Sequence, residues 1–163
     1  MSSTAPTGTA GLARPSSGAD SSLRRFLLAR PEGTTATVLL AAAVLLMVAS
    51  GLIHLYLWHL AYRHVATLGP LFLVQALAAI VLAVALPLGR RGFLLVAAVS
   101  LMAGTIVGFI LVTTVGLFGF TLTVITGWAV AALLVEAPAI VALLTAAALL
   151  WRAGSSSLTS TSI

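Results

Sequence analysis

The 163-residue chain contains no cysteine, no lysine and no asparagine, and only 7% of its residues carry a charge. The missing cysteine excludes disulfides, thiolate metal sites, iron–sulfur clusters and thiol redox chemistry. The missing asparagine excludes an N-glycosylation acceptor. Lysine and asparagine have AT-rich codons, whereas the abundant Ala, Gly and Val have GC-rich ones, so the composition points to a GC-rich bacterial genome. Eleven charges cannot coat a water-soluble surface, and 61% hydrophobic residues with a mean hydropathy of +1.20 make lipid the expected solvent.

Catalytic equipment is equally sparse. The three acids are Asp20, Glu32 and Glu136, the first two close together in a polar flank, so two-carboxylate mechanisms lack their parts. There is no Walker loop, no GxGxxG, no HExxH and no GxSxG. No catalytic residue and no metal site is expected, and the chain reads as non-enzymatic. The net charge of +5 does not imply nucleic acid as a partner, because the arginines flank apolar runs instead of forming a basic face.

Those runs define the organisation. Residues 1–22 hold almost no large apolar side chain, and 1–34 read as a disordered, basic cytoplasmic tail; residues 153–163, with three consecutive serines, read as a second disordered tail. Residues 35–152 divide into spans of about 20 residues, the length that crosses roughly 30 Å of hydrocarbon. The first is 36–61, ending before Arg63 and His64 in an outer loop; the second is 69–87, with Pro70 well placed near a helix start. The 59 residues from Phe93 to Trp151 hold one charge, too long for one crossing and too short for three, so two spans are expected at 93–114 and 121–151. The fold class is an all-α integral membrane protein, a bundle of four transmembrane helices.

The arginines orient it. Four spans put Arg14, Arg24, Arg25, Arg30, Arg90, Arg91 and Arg152 on one side and Arg63 alone on the other, which by the positive-inside rule makes both termini cytoplasmic. Tyr56, Trp58 and Tyr62 then form an outer aromatic belt. A cleaved signal peptide is the competing reading of the first span, but the run exceeds an h-region and lacks a clean cleavage site. Residues 23–30 read as a positive flank rather than an interfacial helix.

Packing signals are small residues. Gly104 and Gly108 form a GxxxG that stacks two glycines on one helix face and invites close approach by another helix, with Ala79, Ala83, Ser50 and Gly51 as weaker contacts.

The polar residues inside the spans carry the functional argument. Glu136 lies near the middle of span four, where a carboxyl group must be neutral, paired or facing a hydrated cavity. Pro138 is expected to kink the helix beside it and free the Leu134 carbonyl. At about 1.5 Å per residue, His54, Gln75 and Thr105 come one from each remaining helix at similar depth, so with Glu136 they are expected to form an intramembrane polar cluster. Ser50, His54 and Trp58 share a face by their spacing of four. His59 and His64 do not, so the histidines are no chelating set.

Three readings of the cluster stand side by side: inter-helix hydrogen bonds that fix register, a proton- or ion-handling site, and a binding site for a cofactor or lipid-like small molecule. No cofactor is expected; haem would need a second axial ligand from Met102 or from another subunit.

The stretch Gly51-Leu-Ile-His54-Leu-Tyr-Leu-Trp58, with Tyr62-Arg63-His64 and Gly69-Pro70-Leu-Phe-Leu-Val-Gln75, resembles small four-span membrane proteins of high-GC Gram-positive bacteria, a group with no established activity. The resemblance covers about 25 residues and implies the source, the architecture and a bacterial plasma-membrane location. The expectation is a non-enzymatic accessory protein, or one that binds a small molecule or partner, in the lipid bilayer. The alternative is a proton- or ion-coupled carrier or a cofactor-binding redox subunit built on His54 and Glu136. Four spans are few for a lone transporter, so that alternative implies a homo-oligomer or a larger membrane complex.

Overall fold

A computed structural model of the chain describes residues 24, 33–88, 91–123 and 125–156. Four helices, each long and apolar enough to cross a membrane, make up the described part: α1 (Thr34–Leu57, prolonged by one π-helical turn, Trp58–Tyr62), α2 (Leu68–Leu88), α3 (Arg91–Thr114) and α4 (Gly127–Ser156). Of the expected tails, residues 1–23, 25–32 and 157–163 lie outside the described residues, as do the arginines at 14, 25, 30 and 90.

Each helix begins and ends where its chemistry changes. Gly33, at φ 121°, turns the chain into α1, and Thr37 Oγ1 donates to its carbonyl at 3.1 Å. No charge or proline then interrupts the run to Tyr62. Pro70 stands in the first turn of α2, where its missing N–H costs nothing, and Pro87 stands in the last. Thr126 Oγ1 accepts the Ala129 N–H at 3.3 Å at the start of α4, a side-chain cap.

The helices alternate in direction around a square. α1 packs most extensively on α4 and α2, α3 packs on α4 and more loosely on α2, and neither diagonal pair meets among the described residues. The core lies toward the end that holds the helix termini of the chain, built from Ala43, Met47, Leu86, Leu95, Met102 and Leu143 with small alanines between them. Beyond Met102, no further residue of α3 is buried. The bundle is therefore tight at its termini end and open at its loop end.

A close helix approach is found at Gly51, not at the GxxxG. A Cβ at Gly51 would sit 2.9 Å from Ile80 Cγ1 and 3.1 Å from the Ala76 carbonyl oxygen, so α1 and α2 touch backbone to backbone there. Gly104 and Gly108 have nothing within 4 Å of a Cβ position, which corrects the expectation that they pack another helix of the bundle. Three further expectations shift. Span four starts at Gly127 instead of residue 121, because the chain after α3 first turns back at Leu117–Phe120 and bonds Leu122 to Val112. α4 continues to Ser156, past the expected tail boundary at 153. Pro138 lies inside α4 on its exposed face, so the proline ring is not beside the buried carboxyl of Glu136.

Candidate functional site

Two connections cross the loop end. Residues 63–67 turn α1 into α2 with Arg63 and His64 exposed, and Gly69 follows so close beneath that a Cβ would lie 2.5 Å from the Tyr62 carbonyl oxygen. The loop 115–126 makes a two-residue turn in which Leu117 and Phe120 exchange backbone hydrogen bonds of 2.7 and 2.9 Å. Phe118 and Gly119 between them have φ of 52° and 79°, the positive pair of a type I′ turn. The Leu122 N–H donates to the Val112 carbonyl at 2.9 Å, tying the returning chain to α3.

Beneath this loop lies a cavity of about 400 Å³. All four helices line it, and so do all four members of the expected cluster: His54, Gln75, Thr105 and Glu136. Gly104 and Gly108 line it as well, so the missing side chains of the GxxxG leave space in a cavity wall. The remaining wall is largely apolar and aromatic, including Tyr62, Phe72, Phe109 and Phe120.

Glu136 is 1% exposed and His54 5% exposed. The Ser50 hydroxyl donates to Glu136 Oε1 at 3.0 Å. His54 sits one turn above Ser50, and its Nδ1 stands 2.9 Å from the Ser50 carbonyl oxygen. A carbonyl can only accept, so Nδ1 carries a proton and donates it. That assignment leaves Nε2 facing the carboxyl, 3.8 Å from Glu136 Oε1, within ion-pair range and beyond a direct hydrogen bond. With Nδ1–H fixed, one proton shared between Nε2 and Glu136 satisfies the pair, on either group.

The cluster is thus brought together unequally. Ser50, His54 and Glu136 form a connected group, while Gln75 and Thr105 share the cavity without bonding to it. Thr105 Oγ1 donates to its own helix, to the Leu101 carbonyl at 3.0 Å. Gln75 Nε2 and Glu136 Oε2 are buried without a hydrogen-bond partner, and both residues line the cavity. Buried polar atoms are nearly always satisfied, so a donor on α2 and an acceptor on α4, both left open beside one cavity, mark it as the place to look for a bound molecule or water.

Sequence reasoning missed the aromatic wall. Phe72 stacks near-parallel on Tyr62 at 4.4 Å and lies 5.3 Å from His54, and Tyr62 meets Phe120 edge-on at 6.2 Å. Phe72 is three residues before Gln75 and Phe109 four after Thr105, spacings that put each on the polar residue's face and could have flagged them. Tyr62 could not be placed that way. The π turn, in which the Arg63 N–H bonds the Trp58 carbonyl at 2.9 Å, shifts the phase of the helix, and Leu57 and Tyr62 line the cavity where regular spacing expects Trp58. Met102 is fully buried in the core and is not on the cavity wall, so a His54–Met102 haem pair has no geometric support. His59 is exposed.

The arrangement defines a class: a four-helix bundle of membrane-crossing length with an aromatic cavity and a buried carboxyl in its wall. No protein-family model matches the chain, and no curated protein or solved structure is detectably similar to it.

Proposed function

We propose that the chain is a non-enzymatic membrane protein that binds a largely apolar small molecule inside its bundle. The observation that carries this reading is the 400 Å³ cavity lined by Glu136 and Gln75, whose Oε2 and Nε2 are buried and have no hydrogen-bond partner among the described residues. Small-molecule sites have this form, an apolar enclosure of a few hundred cubic ångströms with few polar groups that fix orientation. The arginine distribution and GC-rich composition support a bacterial plasma membrane with both termini cytoplasmic, which sets the cavity in the outer half of the bilayer.

The test is equilibrium dialysis of 2-naphthylmethanol and N,N-dimethyl-2-naphthylmethylamine against protein-loaded and empty lipid nanodiscs. Gly108→Leu puts a side chain into open space and fills the cavity without touching the polar group. Saturable binding of either probe to the wild type, lost in Gly108→Leu, is expected. Binding of neither, or equal binding to the variant, overturns the reading.

A second reading, a proton-coupled carrier, is favoured by one observation: the Nε2 of His54 facing the carboxyl at 3.8 Å, a pair completed by a single mobile proton. It requires the same cavity.

A further inference from the structure

From the chemistry of the cavity wall we infer that its ligand is a lipophilic organic cation, a protonated amine, bound in competition with a proton at Glu136. This inference rests on the binding reading and specifies its ligand class. Three observations converge. The open oxygen Oε2 belongs to the one acidic side chain on the wall, and it is deeply buried. Five rings, from Tyr62, Phe72, Phe109, Phe118 and Phe120, line the same space, and aromatic faces attract a desolvated cation. No arginine lines the cavity, so Glu136 has no fixed countercharge among the described residues.

The titratable groups facing the site are Glu136 from α4 and His54 and Tyr62 from α1; α2 contributes Gln75 and α3 contributes Thr105, which do not ionise. A buried carboxylate without a countercharge is costly, so the empty site holds a proton on the Glu136–His54 pair. An arriving ammonium replaces it. In the balanced step, the carboxylic acid and R₃NH⁺ give the carboxylate–ammonium pair and a released H⁺, with the amine N–H donating to Oε2. Protonation of the pair and of His54 both oppose the cation, so the two effects of acid share one sign. A neutral alcohol of the same shape gains the apolar enclosure but not the charge pair.

The test compares the two naphthyl probes in nanodiscs between pH 5 and 8, a range in which the tertiary amine stays protonated. The amine is expected to bind at least tenfold tighter than the alcohol at pH 8, to weaken by up to tenfold per pH unit as acid is added, and to lose its advantage in Glu136→Gln. Equal affinity for amine and alcohol, or an amine affinity that does not fall with acid, overturns the cation assignment while leaving the binding reading standing. Binding of neither probe overturns both. If Glu136→Gln does not fold, the probe comparison and the pH series on the wild type decide the question.

Discussion

Removing the Ser50 hydroxyl takes from Glu136 Oε1 its only hydrogen-bond donor among the described residues, while Glu136 stays buried at 1% exposure. Ser50→Ala is therefore expected to lower stability by about 1–2 kcal/mol, read from denaturant unfolding in detergent. His54→Ala and Glu136→Gln, separately and together, test whether the pair acts as a unit. Neighbours in one network give non-additive effects of about 0.5–3 kcal/mol, so additive losses would show that the 3.8 Å approach carries no coupling. The glycines offer a sharper contrast. Gly51→Ala drives a methyl against Ile80 and the Ala76 carbonyl and is expected to cost about 1–3 kcal/mol. Gly104→Ala meets open space and is expected to hold or raise stability by up to about 1 kcal/mol through helix propensity. If the two substitutions cost the same, the helix contact lies at the GxxxG after all.

At the scale of elements, the connection between α3 and α4 lines the cavity through Leu117, Phe118, Phe120 and Leu122. Among the described residues one short bridge and three backbone bonds to α3, from Val115 and Gly116 to the Leu111 carbonyl and from Leu122 to the Val112 carbonyl, fix its backbone, against continuous ladders in the helices. Amide exchange is accordingly expected to be faster in 117–123 than in the buried half of α1, and equal protection across both would contradict this contrast. Phe118 adds a local cost. A bulky residue at positive φ is strained by roughly 1–2 kcal/mol, and asparagine suits that position of a type I′ turn. Phe118→Asn is expected to raise stability by about 0.5–1 kcal/mol and, because Phe118 lines the cavity, to weaken binding of the naphthyl amine.

For the whole molecule, the missing cysteine becomes an experimental advantage: any introduced thiol is unique. With the proposed orientation, Ala66→Cys in the exposed turn is expected to react with an impermeant maleimide in intact cells, and Ser160→Cys only after permeabilisation. The reverse pattern would invert the topology and move the cavity to the inner half of the bilayer. Openness also belongs to this scale. Buried residues of α3 stop at Met102, so the bundle is a closed core at one end and a container at the other.

Helix number and approximate limits were legible in the sequence because an apolar run must satisfy its backbone internally and be long enough to cross; the expected 36–61, 69–87 and 93–114 differ from the observed spans by one or two residues at most ends. Depth along each helix was legible too, since 1.5 Å per residue is fixed by geometry, and it brought His54, Gln75, Thr105 and Glu136 to one level. Rotation about each helix axis was not legible. In spans that are apolar on every side no amphipathic stripe records which face turns inward, so the choice of Gly51 over the GxxxG as the contact, the phase shift at the π turn that brings in Tyr62, and the fold-back of 115–126 were decided only when four helices packed together. Tertiary structure also decided what the polar residues do. Ser50 and His54 reach Glu136 because α1 lies beside α4, while Thr105 bonds its own backbone because α3 lies across a cavity from them.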